Sequence, residues 1–273
     1  MRPIPVVFHI GPLQVHTYGI GLALTFWFGY RYLARRLRSN GYPDDWLGGT
    51  FVWIVVTAIV GARAVHVIAN LGDYRTSPIE VLAIWHGGLS SFGGLLLAVP
   101  TGLVSAHRRC PQLRPARAGD IVAPVLVASW ALGRVLGPQL MVAGGGKPTG
   151  QWFGMYYTGE IGKRLPVPLF QAVECLAVYL VALYVERRVA DGGGPVGLVV
   201  LVASGLWGLT RFFDEYLWLP RDAGSLAVEI GGLAMFATGV VGVAWLLLRR
   251  HGRPCELAAP AGTGRPDQLT SDR

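Results

Sequence analysis

Residues 3–30 contain no Lys, Arg, Asp or Glu, and neither do residues 46–62, 87–106, 192–210 and 230–248. Charged residues make up 15% of the 273-residue chain. That scarcity excludes an ordinary soluble domain, where roughly a quarter of residues are charged. Three more blocks are broken by one charge each: 121–144 by Arg134, 167–185 by Glu174 and 223–248 by Glu229. Blocks of this length match the roughly 20 apolar residues that cross a bilayer core. Cysteine is also scarce. Cys110, Cys175 and Cys255 have no metal-ligand spacing and offer no disulfide framework. No internal repeat is evident, which counts against an inverted-repeat transporter.

Merging the overlapping blocks gives seven expected spans, near residues 17–34, 46–68, 87–106, 120–142, 167–185, 194–216 and 224–248. The expected fold is an all-α polytopic membrane protein of about seven transmembrane helices. The net charge of +8 is distributed as topology rather than as a nucleic-acid footprint. Thirteen arginines lie in 31–38, 108–117, 187–188 and 249–253, whereas the alternate loops hold only Arg2, Arg75, Lys147, Lys163, Arg164 and Arg221. By the positive-inside rule the first set is cytoplasmic, so the N-terminus lies outside and the C-terminus inside. The N-terminal region reads as an uncleaved first span. Residues 1–250 are expected to form a single transmembrane domain. Residues 251–273, rich in Gly, Pro, Asp and Arg, are expected to be a disordered cytoplasmic tail.

The intramembrane charges share a depth. At 1.5 Å per residue, Arg63, Arg134 and Arg211 lie roughly 25, 21 and 24 Å above the inner ends of their helices. Glu174 and Glu229 lie about 9 Å below the outer ends of theirs. Tyr18 is near the outer end of the first helix. One layer facing the outer leaflet therefore collects most of the costly polar groups, which must pair or line a wet cavity. Two readings follow: an internal salt-bridge set with Asp214, Glu215, Glu174 and Glu229, or a site for an anion. The planar fork of arginine suits the second when the anion is a phosphate, such as a phospholipid headgroup. Near the same layer lie the glycine-rich segments 85–94, 133–138 and 144–149. Gly pairs such as Gly93-Gly94 also serve close helix packing, and Pro138 is expected to loosen its helix. The aromatic stretch Trp152, Phe153, Met155, Tyr156, Tyr157 reads as an interfacial belt.

Taken in order, these segments resemble the prolipoprotein diacylglyceryl transferases. His16-Thr17-Tyr18-Gly19-Ile20 resembles the family's first-helix motif, and Gly61-Ala62-Arg63 its second-helix Gly-x-Arg. Residues 85–94 (Trp85, Gly87, Gly88, Ser90, Gly93 and Gly94 among them) resemble its Trp-x-Gly-Gly signature. Gly133-Arg134 resembles the start of Gly-Arg-x-Gly-Asn, and Gln171-Ala172-Val173-Glu174 resembles Gln-Leu-Tyr-Glu. Arg211 and Glu215 match the sixth-helix Arg-x-x-x-Glu.

The resemblance implies a multi-pass enzyme of the bacterial plasma (inner) membrane. Such an enzyme moves a diacylglyceryl group from phosphatidylglycerol to the lipobox cysteine of a preprolipoprotein, with no metal or organic cofactor. It implies Arg134, Arg211 and Glu215 as catalytic residues: the arginines hold the phosphate and Glu215 holds Arg211. It implies substrate-binding roles for Tyr18, Arg63, Glu174, Gly93 and Gly94. The partners implied are phosphatidylglycerol or a similar phospholipid, the preprolipoprotein signal peptide and the lipid bilayer; nucleic acid is excluded. The chain departs from the pattern at named positions. Phe92 stands at the signature histidine, Gly137 or Pro138 at the asparagine, and Val167-Pro168 at the fifth-helix His-Pro. His66 and His86 are the nearest substitute bases, each also readable as a packing or interface residue. The alternative left open is a catalytically degenerate paralogue that binds phospholipid or lipoprotein without transfer.

Overall fold

A computed structural model describes residues 7–10, 13–74, 78–83, 90–136, 145–217 and 223–251. Seven long helices dominate these residues. They are α1 (Thr17–Ser39), α2 (Leu47–Ala69), α4 (Ser91–Arg109), α5 (Pro115–Leu136), α6 (Val167–Gly192), α7 (Leu198–Asp214) and α8 (Ala223–His251), with a single-turn α3 (Leu71–Tyr74) after α2. Four of the long ones are both long and apolar enough to cross a membrane: Leu47–Ile68, Pro115–Leu136, Val167–Gly192 and Val228–Arg249. Each of the seven expected segments coincides with a helix. The helices outrun the hydropathy at several ends, because a helix need not stop where its apolar run does. α1 continues five residues past the expected limit, ending in a turn with Arg36 and Arg38, whose positive charge suits a helix C-terminus. α6 opens with Pro168 in its first turn and ends on Gly193, whose left-handed backbone (φ 60°) caps it.

One element is new. β1 (Val7–Ile10) and β2 (Leu13–His16) form an antiparallel hairpin in the register Val7↔His16, Ile10↔Leu13. It falls inside the first uncharged stretch, where lack of charge alone does not distinguish strand from helix. The tail beyond His251, Pro138, His86 and residues 141–144 lie outside the described residues.

The burial pattern inverts that of a soluble bundle. Large apolar side chains such as Trp27, Trp53, Leu96, Val173, Val241 and Leu248 face outward, while buried positions include Arg36, Arg63, Asp120, Gln171, Asp214, Glu215 and Glu229. In lipid an outward Leu costs nothing, and association rests instead on close packing and polar contacts. α5, α6 and α7 pack on one another, with α1 against α5 and α8 against α7. α2 and α4 form a second pair. Its link to α1 and α5 includes a cluster of Ala34, Leu37, Leu47, Cys110, Leu113, Ala118 and Ile121, and the Tyr30 and Phe26 rings on Phe51.

Two glycine contacts set these pairs. Where α2 crosses α4, a Cβ on Gly61 would strike the Gly93 carbonyl, and one on Gly93 would strike the Gly61 carbonyl. Where α7 crosses α8, a Cβ on Gly208 would lie 2.6 Å from the Gly232 carbonyl oxygen, and the reverse distance is the same. Backbones this close admit no side chain at all.

Candidate functional site

Three helices bring the site together at one end. Arg134 lies two residues from the C-terminus of α5, Gln171, Glu174 and Cys175 occupy the first turns of α6, and Arg211 and Asp214 the last turn of α7. At the opposite end Asp120 of α5, fully buried, fixes α7 against α5. Its Oδ2 accepts the Gly197 N–H at 2.6 Å and its Oδ1 the Val200 N–H at 2.9 Å. A carboxylate at a helix N-terminus is favoured by both the unpaired N–H groups and the macrodipole. Arg36 ties α1 to the same end, donating to the Ile121 carbonyl at 2.9 Å and to Glu186 at 2.6 Å.

Arg211 is held by its own helix. Its Nη1 donates to Asp214 Oδ2 at 3.1 Å and its Nη2 to Glu215 Oε1 at 2.9 Å. The i,i+4 pair read from the sequence is present, and Asp214 adds an i,i+3 partner that the sequence reading placed only in a general salt-bridge set. Arg134 is different. It stacks on the Trp130 ring at 5.2 Å and has no hydrogen bond or ion pair among the described residues. It lies within electrostatic range of Arg211 and Asp214. Arg134 and Arg211 thus lie within electrostatic range of each other, the second ion-paired twice and the first not at all among the described residues.

The surrounding polar atoms are unpartnered. Gln171, 1% exposed, sits beside Asp214, yet neither its Oε1 nor its Nε2 has a hydrogen bond. The same is true of Glu174 Oε2, Asp214 Oδ1 and Trp130 Nε1. Glu174 and Gln171 are both close enough to Asp214 for their side chains to interact with it. Buried polar atoms are normally paired, so this many close together set the junction of α5, α6 and α7 apart from the rest of the described bundle.

An ordered loop packs at this end of the bundle. Residues 145–166 are cross-linked by backbone bonds between Gly146 and Leu165, Lys147 and Leu165, Thr149 and Lys163, and Met155 and Arg164, and Lys147 N–H reaches the Leu217 carbonyl at 2.9 Å. Gly146 permits that approach, since a Cβ there would lie 2.5 Å from the Leu217 oxygen. The expected aromatic belt divides in two. Trp152 is 87% exposed, whereas Met155 and Tyr157 are buried and Phe153 stacks on Phe170. Burial pushes the Tyr157 phenol up to about 12.

Of the remaining sequence-derived residues, Arg63, Gly93 and Gly94 lie on the α2–α4 pair. Arg63 is buried, donates from Nε to the Val81 carbonyl at 2.9 Å and from Nη2 to the Glu80 carbonyl, and covers the Tyr74 ring. It ties down the segment after α3. Gly93 and Gly94 face Gly61 and Ala58 in the helix crossing. His66 of the same pair meets the Tyr74 ring edge-on. Tyr18 is in the first turn of α1, its side chain outside what is described. Gln171 and Asp214 were not among the sequence-derived site residues. Gln171 was visible inside the Gln-x-x-Glu motif, and Asp214 as an acidic residue at the end of an apolar helix.

A helical bundle with apolar faces turned outward and an arginine–carboxylate cluster among α5, α6 and α7 has the form of a membrane protein. Residues 5–249 match the family model for prolipoprotein diacylglyceryl transferase, and the chain belongs to that family. Relatives named phosphatidylglycerol–prolipoprotein diacylglyceryl transferase include those of Trichormus variabilis (28% identical over 96% of each chain), Rhodospirillum rubrum (28%, over 94% of this chain and 96% of the relative) and Staphylococcus carnosus (33%, over 90% of each).

Proposed function

We propose that this protein transfers a diacylglyceryl group from phosphatidylglycerol to the lipobox cysteine of a preprolipoprotein at the outer leaflet of the bacterial plasma membrane. The chain spans the membrane seven times in this reading, with the N-terminus outside and the C-terminus in the cytoplasm. The observation that carries the assignment is Arg134: a guanidinium inside the bundle, near Arg211, with no ion-paired or hydrogen-bonded partner among the described residues. The phosphodiester of phosphatidylglycerol supplies that anion. The thiol sulfur attacks the glycerol carbon bearing the phosphate, the C–O bond breaks, and glycerol phosphate leaves. Arg134 and Arg211 stabilise the negative charge that concentrates on the departing phosphate, the role of preorganised donors in transfer chemistry. Glu215 holds Arg211 in orientation, Glu174 lines the headgroup chamber that this reading places between α5, α6 and α7, and Tyr18 positions the headgroup. Arg63, Gly93 and Gly94 contribute by fixing the α2–α4 pair that forms the other side of the binding region.

The test is rescue of a strain depleted of its own diacylglyceryl transferase, with lipoprotein modification read by mass. The parent chain restores the mass shift. Arg134→Ala and Arg211→Ala lower transfer by about 10²–10³-fold while still inserting at normal abundance. A parent chain that gives no shift, or an active Arg134→Ala variant, overturns the assignment. The first outcome returns the chain to the non-catalytic reading.

A further inference from the structure

The transfer just described releases a thiol proton, and the signature histidine that would be the first candidate to take it is replaced by Phe92. His66 is occupied against Tyr74 on the α2–α4 pair. We propose that Asp214 is the proton acceptor in this chain; the inference rests on the transferase reading and deepens it. Four observations point to it. Asp214 is 1% exposed and anchored through Oδ2 to Arg211, which leaves Oδ1 without a hydrogen bond. It faces Arg134 of α5, and Glu174 and Cys175 of α6, and it shares Arg211 with Glu215 on its own chain segment. Glu229 is buried on α8, the helix packed against the other side of α7. Finally, Gln171 lies against Asp214, a buried amide donor and acceptor with no other hydrogen-bond partner, next to the carboxylate oxygen that Arg211 does not hold.

The geometry gives a balanced step. The phosphodiester occupies Arg134 and the remaining donors of Arg211. The lipobox thiol enters beside Gln171, its proton passes to Asp214 Oδ1, and the sulfur forms the new S–C bond as the C–O bond to phosphate breaks. The proton on Asp214 then leaves with glycerol phosphate or to water, restoring the carboxylate. Thiolate is the attacking species, so a carboxylate placed here acts by taking the thiol proton as the S–C bond forms.

The experiment uses the full-length protein in phosphatidylglycerol vesicles with a synthetic lipobox peptide, and the product is measured by mass. Asp214→Asn keeps the side-chain shape, and circular dichroism and melting confirm that it folds. It lowers transfer at pH 7 by about 10²–10⁴-fold, the range spanned by proton-transfer catalysis. Its rate then climbs roughly tenfold per pH unit toward the thiol's own pKa of about 8.5, while the parent's profile is flatter. A second peptide carries selenocysteine in place of the lipobox cysteine. Its selenol is already ionised at pH 7 and needs no base, so the loss in Asp214→Asn shrinks to less than about tenfold of the parent's rate with the same peptide. Asp214→Glu retains partial activity. Asp214→Asn with full activity, or with equal losses on thiol and selenol peptides, overturns the role of Asp214 and leaves the transferase assignment standing. A parent protein that modifies neither peptide overturns both.

Discussion

Tyr157 and Asp120 show how differently a buried polar residue can be served. Asp120 is legible in the sequence only as an acidic residue at the edge of an apolar block. Nothing in a one-dimensional pattern says that its two oxygens will meet the N-terminus of a helix that begins 78 residues later at Leu198. Tyr157 reads as one aromatic among several in a belt, yet its hydroxyl is buried without a partner among the described residues. Burial raises its pKa to about 12 from about 10 in the unfolded chain. A raised folded-state value means that the stability tied to the neutral phenol is complete below about pH 10 and is lost as pH climbs toward 12. Tyr157→Phe therefore flattens the fall of the unfolding midpoint between pH 9 and pH 11 and leaves it unchanged or higher at pH 8. A thermal melt in detergent at the three pH values checks this; an equally steep fall in both proteins contradicts it. Arg134 and Arg211 were legible as costly charges. That one of them is clamped by two carboxylates and the other by none was not, because the pairing depends on which way α5 faces α7.

Helix pairs carry the second level of information. Glycine pairs such as Gly93-Gly94 were read from the sequence with two meanings, close packing or a substrate surface. In the α2–α4 crossing the packing meaning is visible, since Gly61 and Gly93 meet backbone to backbone. The α7–α8 crossing works the same way and gives a sharp test. Gly208→Ala places a methyl group 2.6 Å from the Gly232 carbonyl oxygen, whereas Gly231, one residue away on α8, has nothing within 4 Å of the equivalent position. Gly208→Ala is expected to destabilise by about 1–3 kcal/mol, the usual cost of overpacking. Gly231→Ala, on an open helical site, is neutral or slightly stabilising. Unfolding in mixed detergent micelles separates them, and equal midpoints would refute the tight crossing. The helices themselves were legible to within a few residues because uncharged length is a strong signal. The hairpin β1–β2 was not, since eight residues of strand inside a longer uncharged run leave no mark in charge.

At the scale of the molecule, hydropathy and the placement of arginine supply an orientation that packing alone does not contain. Alkaline phosphatase fused after Arg249 is expected to be inactive, and the same reporter inserted in residues 145–166 active. The reverse pattern would invert the whole arrangement and place the chamber in the cytoplasmic leaflet. The clustering of Arg134, Glu174 and Arg211 at one end follows from alternating helix direction together with shared depth, and that much could be computed from residue counts. The grouping of the helices could not. α5, α6, α7 and α8 pack as one group and α2 with α4 as another, so Arg63, expected at a similar depth to the other two arginines, has its observed partners in α3 and the segment after it. The local pairing of Arg211 also bears on how the chain is made. Its two counter-charges lie three and four residues downstream on the same stretch of backbone, so in the seven-span arrangement proposed above α7 carries its own neutralisation as it leaves the translocon. The cost of burying that arginine in lipid is already reduced before α8 has been synthesised, and insertion of α7 need not wait for its neighbours to dock.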